Sequence, residues 1–379
     1  MPFDLTPEQR QIVDTARAFA LEQLRPNAAQ WEAQGSLDRG VLQVMAAIGF
    51  AGIYVKPDVG GSGLSRADAV LVFEQLSRGC VSTAAFMSIH NMATWMIDTF
   101  GHDQQRHHWV PRLCNMELIA SYCLTEPGAG SDAAALRTTA VRDGGEYVLN
   151  GAKSFISGAT FSDLYVVIAR TGEEGPRGIS CFLVPKDSPG LRFGRLERKM
   201  GWRAQPTAQV IFEDCRIPAV NLVGKEGAGF LYAMQGLDGG RLNIAACSLG
   251  GATEALERAL EYAREREQFG QPIINFQVTQ FKLADMATKL EASRLLVHEA
   301  AGRLDAGRPD ATKYCAMAKR FATDCGFEIA NEALQIHGGY GYLADFEIER
   351  IVRDLRVHQI LEGTNEIMRL IIARQMMGR

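Results

Sequence analysis

The chain has 379 residues, 47% of them hydrophobic and 22% charged, which is the balance of an ordinary globular protein with chain enough for two or three domains. Forty lysines and arginines against forty-four acidic residues leave a formal charge of −4 without a basic block, which excludes gripping nucleic acid or anionic lipid. No apolar run approaches the ~18 residues of a membrane helix, and the N-terminus reads as lacking a signal-peptide core. Eight cysteines are scattered without a CxxC pair, so neither a metal site nor a disulfide framework is indicated and a reducing, cytoplasmic compartment is expected.

Residues 1–118 read as helical. Thr6 can cap a helix with Pro7 in its first turn and Gln9 closing a capping box. Ile12, Val13, Ala16, Phe19, Ala20 and Leu24 form the apolar stripe, and Pro26 is expected to stop it. Further helices are predicted near Arg39–Ile48, Arg66–Leu76 and Ala85–Phe100, with a glycine loop at Asp58–Gly63 that lacks the strand and third glycine of a dinucleotide fingerprint.

Residues 119–224 change period. Val141–Leu149 reads as strand, Gly-Gly turn, strand, and Leu164–Ala169, Gly178–Val184, Leu191–Leu196 and Ala208–Phe212 are further short strands. With no helices between them they predict a compact antiparallel β domain. Residues 225–379 return to long helices at Ala228–Arg264, Phe276–Leu304 and Asp310–His337, and a last helix starts near Thr364, which suits an antiparallel bundle.

Several segments carry polar chemistry. The loop after Tyr122, through Leu124, Thr125, Gly128, Gly130 and Ser131, offers backbone N–H groups and hydroxyls, although a plain strand-exit turn has the same composition. Phe155 and Ser157 share one face of a strand and could pack on a flat ring or simply on the core. Asp238-Gly239-Gly240-Arg241 interrupts a helical pattern at about 1 kcal/mol per glycine, so either a backbone or a ligand gains the space. Arg266 could clamp a phosphate or merely complement a helix end, and His337 reads as structural. Glu362 lies after an apolar pair and before a helix that Thr364 can cap; desolvation there would raise its pKa toward that of a general base, the alternative being an exposed loop carboxylate.

Together, Cys123–Asp132, Arg266…Gln268-Phe269-Gly270, Gln335…Gly338-Gly339…Gly341…Asp345…Arg350…Asp354 and Leu361-Glu362-Gly363-Thr364 resemble the acyl-CoA dehydrogenase family over essentially the whole chain. Within it, Gly236–Ala245 and Val357–Gly363 look most like the branch acting on isobutyryl-CoA, in valine catabolism. The resemblance implies a multi-domain α+β fold: a helical N-terminal domain, a β middle domain and a C-terminal four-helix bundle. It also implies a homotetramer with FAD, an acyl-CoA substrate, and an electron-transfer flavoprotein as acceptor.

By motif, Tyr122, Leu124, Thr125, Ser131, Phe155 and Ser157 would line the isoalloxazine. Arg266, Phe269, Phe276, Gln277, Gln335 and Gly339 would reach a neighbouring subunit's cofactor, and Thr364 and Glu366 would also bind it. Ser131, Asp238, Arg241 and Arg374 would touch acyl-CoA, and Glu362 would be the catalytic base. Many relatives carry Trp and Thr where Phe155 and Ser157 stand; some keep the base where Gly240 stands. Butyryl-CoA or 2-methylbutyryl-CoA are alternative substrates, an oxidase an alternative chemistry, and a flavin-free acyl-CoA-binding protein an alternative class.

Overall fold

The computed structural model describes residues 5–378. Helix α1 (Pro7–Phe19) starts as the capping box predicts, with Thr6 Oγ1 accepting from Gln9 N and Gln9 Oε1 accepting from Thr6 N. Pro26 does not end the helical path. The chain widens through a π turn at Ala20–Leu24, tightens into a 3-10 turn at Arg25–Asn27 and continues as α2 (Ala28–Gln34). A tight first turn does not need the N–H that proline lacks, and the path ends only at Gly35 with φ +69°.

Helices α3 (Arg39–Ala47), α4 (Arg66–Gly79) and α5 (Val81–Phe100) follow the sequence pattern. The sequence pattern does not predict a sixth, α6 (Asp103–Cys114): its exposed face is polar and it contains Pro111.

The middle of the chain forms a sheet in the order β6–β7–β3–β2–β4–β5–β8. Its strands are β1 (Ala120–Cys123), β2 (Thr139–Asp143), β3 (Glu146–Ser157), β4 (Leu164–Arg170), β5 (Ile179–Pro185), β6 (Leu191–Phe193), β7 (Thr207–Pro218) and β8 (Leu222–Val223). The expectation of an antiparallel domain needs one correction. β1 pairs parallel with β4, Ala120 opposite Leu164, and β2 touches β4 in parallel at Thr139 and Arg170. Parallel neighbours need a long crossover, and here the β2–β3 hairpin supplies it in place of a helix. β4 and β5 are buried on both faces, one against α5 and α7 and the other inside the sheet's own curl.

The C-terminal bundle consists of α7 (Gly229–Glu265), α8 (Gln277–Asp305), α9 (Ala311–His337) and α11 (Asn365–Met376), with the short α10 (Ile348–Arg356) between the last two. Helix α7 runs unbroken through Gly239 and Gly240, so these glycines do not interrupt it. What they do is admit side chains from elsewhere. The bundle core is rich in alanine, which lets α4, α7 and α9 approach closely; a Cβ on Gly250 of α7 would lie 2.0 Å from the Glu74 carbonyl of α4. All eight cysteines are free and buried. Among the described residues no helix is long and apolar enough to cross a membrane.

Candidate active site

Three segments distant in sequence meet where the sheet abuts the bundle. The first is the turn between α10 and α11. Glu362 takes φ +53° and Gly363 φ +90°, after which Thr364 caps α11 by accepting from Ile367 N at 3.3 Å. A left-handed glutamate is costly, and here the surroundings hold it. Arg241 Nε donates to the Glu362 carbonyl at 3.3 Å, and Lys319 Nζ donates to the Gly363 carbonyl at 2.8 Å.

The second segment is α7. An added Cβ on Gly240 would lie 2.5 Å from Glu362 Oε2, so the carboxyl occupies the space that this glycine leaves. A Cβ on Gly239 would lie 2.3 Å from Arg66 Nη1. The buried Arg66 guanidinium also packs over the Tyr54 ring, 3.5 Å from its centroid. Arg241 Nη1 donates to Asp238 Oδ1 at 2.7 Å, and the other Asp238 oxygen accepts from Thr312 Oγ1 at 2.6 Å.

The third is β1 and the loop after it. The Tyr122 hydroxyl and Glu362 Oε2 are both buried and neither has a hydrogen-bond partner within the chain. Unmet buried polar atoms of this kind are rare unless something else completes them. Burial drives the Glu362 pKa up to about 7, against the opposing charges of Lys319 and Arg241.

The loop itself is anchored at its base. Lys153 Nζ pairs with Glu126 Oε1 at 2.7 Å and donates to the Leu124 carbonyl at 3.0 Å. Glu126 also accepts from the backbone N–H of Arg137 and Thr138, and Ser154 N donates to the Thr125 carbonyl at 2.8 Å. Beyond these ties the tip is open: Gly128, Gly130 and Ser131 are exposed, and a Cβ on either glycine would meet nothing within 4 Å.

Next to it β3 bulges, with Lys153 opposite Val210 but Ile156 opposite Ala208. The extra residue throws Phe155 outward at φ +59° and 70% exposure. Ile156 is buried and Ser157 is half-buried.

A second group lies apart. After α7, a small hairpin of β9 (Glu267–Gln268) and β10 (Gln271–Pro272) carries Phe269 at its tip, 95% exposed at φ +54°. The Phe276 ring lies 6.1 Å from it, and Gln277 is exposed at the start of α8. A cavity of about 490 Å³ is lined by Arg266, Gln268, Tyr262, His337, Gly339 and Tyr340. Gln335 is exposed and immediately precedes Ile336, which also lines it. His337 has a structural place: Nδ1 bonds the Ala333 carbonyl at 2.7 Å, and the ring stacks on Tyr262.

The structure thus gathers Glu362, Tyr122, Asp238 and Arg241 in one place and Arg266, Phe269, Phe276 and Gly339 in another. Glu366 and Arg374 are exposed on α11; among the described residues no hydrogen bond or ion pair joins Arg374 or Ser131 to Asp238 or Arg241. Sequence reasoning missed Lys319, Arg66 and the Glu126–Lys153 pair. The available signal for Lys319 was a cation at helical spacing with Cys315 and Ala322, on the apolar face of an Ala-rich helix.

Comparison with known proteins agrees with this geometry. Family models described as the N-terminal, middle and C-terminal domains of acyl-CoA dehydrogenase match residues 6–117, 121–215 and 227–377. The chain is 54% identical over 373 residues to the mitochondrial isobutyryl-CoA dehydrogenase of Bos taurus and 55% to that of Dictyostelium discoideum, each match covering 98% of this chain and 90% of the relative. The solved butyryl-CoA dehydrogenase of Megasphaera elsdenii is 36% identical and superposes with a TM-score of 0.96 over 100% of both chains. The chain belongs to the acyl-CoA dehydrogenase family: it is an FAD-dependent flavoprotein oxidoreductase that acts on acyl-CoA.

Proposed function

We propose that this enzyme oxidises a short branched-chain acyl-CoA, isobutyryl-CoA foremost, to its α,β-enoyl thioester, with Glu362 as the base that takes the α-proton. The carrying observation is the Glu362 carboxyl itself: buried, unpartnered at Oε2, and facing a glycine of α7. A carboxylate with a pKa near 7 is a stronger base than one in water and still substantially ionised at neutral pH. Glu362 receives the α-proton at its free oxygen. Its turn, held from both sides by Arg241 and Lys319, can present the Glu362 N–H to the thioester oxygen and stabilise the enolate charge. Asp238, locked by Arg241 and Thr312, with Arg241, Ser131 and Arg374, is assigned to acyl-CoA.

The residues present fit FAD. The unpartnered Tyr122 hydroxyl, the open glycine tip before Ser131, and the outward Phe155 ring suit a flat polar ligand. Tyr122, Leu124, Thr125, Ser131, Phe155 and Ser157 would hold its ring, with Thr364 and Glu366 nearby. When bound, FAD supplies the acceptor to which the β-hydrogen leaves with its electron pair.

Arg266, Phe269, Phe276, Gln277, Gln335 and Gly339 lie apart from that ring site, which supports their serving a neighbouring copy in a homotetramer. The exposed Phe269, Val278 and Phe281 would gain cover there. An electron-transfer flavoprotein is the proposed acceptor. The buried free thiols suit a reducing compartment, and we assign the cytoplasm. We divide the chain into three domains at 118 and 224, a reading supported by family-model matches that end at 117 and 215 and resume at 121 and 227.

The test is a panel of isobutyryl-, butyryl- and 2-methylbutyryl-CoA with an artificial electron acceptor, run on the parent and on Glu362→Gln. The expected result is the highest kcat/KM with isobutyryl-CoA, and a yellow but nearly inactive variant. A butyryl preference would overturn the substrate, a brisk Glu362→Gln would overturn the base, and protein that stays colourless with FAD would favour a flavin-free binding role.

A further inference from the structure

One cation is buried beneath the proposed base and serves no other evident purpose. Lys319, in the middle of α9, is fully buried. A lysine at that depth is unusual unless its ammonium is paired or hydrogen-bonded. Its Nζ donates to the Gly363 carbonyl at 2.8 Å and to Asn365 Oδ1 at 3.0 Å. Asn365 is held in turn, donating to Thr323 Oγ1 at 2.9 Å and to Asp324 Oδ1 at 2.7 Å. The ammonium therefore holds the chain just after Glu362 at two points, the Gly363 carbonyl and the Asn365 side chain, while Arg241 holds the Glu362 carbonyl. It makes no hydrogen bond to the carboxyl, whose Oε2 remains free.

We infer that Lys319 is a positioning residue for the reaction: it fixes the Glu362–Gly363 turn from behind and its charge keeps the Glu362 carboxyl ionised as a base without occupying its oxygens. The inference rests on the reading of Glu362 as the base. A direct salt bridge would depress the carboxyl's basicity and block the oxygen that must take the proton. A cation bonded to the neighbouring backbone instead tempers the effect of burial and leaves that oxygen available. Burial moves the two groups toward each other, Glu362 up to about 7 and Lys319 down to about 8.

The other groups facing this pair are few. Arg241 and Cys247 face Glu362 from α7, Tyr122 from β1 and Tyr54 from the loop before α4. Arg241, Asp324, Glu366 and His358 face Lys319. Burial drives His358 down to about 3, with Lys319 adding to the effect, so it stays neutral. Arg241 remains as a permanent cation facing the carboxyl, with the Arg66 guanidinium beside neighbouring Gly239, so removing Lys319 would weaken the field at Glu362 without abolishing it.

The experiment is the pH profile of kcat, measured on the FAD-loaded enzyme with saturating substrate, for the parent and for Lys319→Met. Lys319→Gln keeps a donor for Gly363 without the charge and serves where Lys319→Met does not fold. The expected result for the uncharged variant is an acidic limb displaced upward by about one pH unit: an approximately tenfold loss near pH 6.5 that shrinks as the pH is raised. A variant with a normal flavin spectrum and an undisplaced limb would overturn the inference, even if its activity fell evenly at every pH, because that is the signature of a merely structural lysine. Glu362→Gln, run alongside, separates the two claims. If it is active the base is misassigned; if it is inactive while the Lys319 profile is unmoved, only the role of Lys319 fails.

Discussion

Gly240 and Glu362 occupy one space: the side chain that α7 omits is replaced by a carboxyl delivered from the turn before α11, with 2.5 Å between an added Cβ and Oε2. A glycine inside a long helix ordinarily costs about 1 kcal/mol against alanine. Gly240→Ala should therefore leave the melting temperature unchanged or raise it slightly while displacing the carboxyl. A loss of kcat of tenfold or more, with FAD retained, is the expected outcome; parent-like turnover would show that the contact does not constrain the base.

The raised pKa of Glu362 has a consequence for stability. Its folded value of about 7 lies above the ~4.3 of an unfolded glutamate. The folded chain therefore holds this proton more tightly, and the stability the group contributes is complete below about pH 4 and is lost as the pH rises through 7. Glu362→Gln should accordingly melt higher than the parent at pH 8, with a gain of up to ~3 kcal/mol from a shift of this size, and show little such gain at pH 4. Paired thermal melts at the two pH values check the sign.

The Glu126–Lys153 pair is buried, at 7% and 0% side-chain exposure. Removing one partner of such a pair strands the other, which costs about 3–5 kcal/mol, whereas replacing both with apolar residues is far less damaging. Glu126→Ala should melt markedly lower and lose flavin on dialysis, because the same carboxylate ties down the Arg137 and Thr138 amides. The double variant Glu126→Leu with Lys153→Met should recover most of the melting temperature, and flavin content measured beside it separates stability from loop shape.

Phe155 is exposed to 70% and packs on little within the chain. Its truncation should change the stability of the FAD-free protein by no more than about 0.5 kcal/mol. If the ring stacks on the cofactor, Phe155→Ala should weaken FAD binding by roughly fivefold, the value of about 1 kcal/mol of aromatic stacking. Equal FAD affinity in the two proteins, measured by titration into apoprotein, would remove Phe155 from the site.

Much of the architecture was legible before the structure. The order of helices, strands and long helices follows from periods of 3.6 and 2, and the Thr6 and Thr364 caps and the Gly144-Gly145 hairpin turn are local chemistry within a few residues. Local reasoning failed where a distant element decided the outcome. Pro26 looked like a stop because its own residue cannot continue an α-helix, yet packing against α4 carries the chain through π and 3-10 turns. Asp238-Gly239-Gly240-Arg241 looked like a break in α7, but the glycines serve Arg66 and Glu362, which approach from α4 and from the α10–α11 turn.

By itself, the sequence determined the order of helical, strand and long-helix regions, which family the motifs resemble, and that Glu362 adjoins apolar residues. Only the tertiary structure decided that β1 runs parallel to β4, that the Glu362 carboxyl lies against Gly240, and that Lys319 sits behind it. The physical reason is one of range. Hydrophobic periodicity and capping act over a turn or two of chain, whereas desolvation, charge and close approach act through space, and the pKa of a carboxyl depends on neighbours that the order of residues does not reveal.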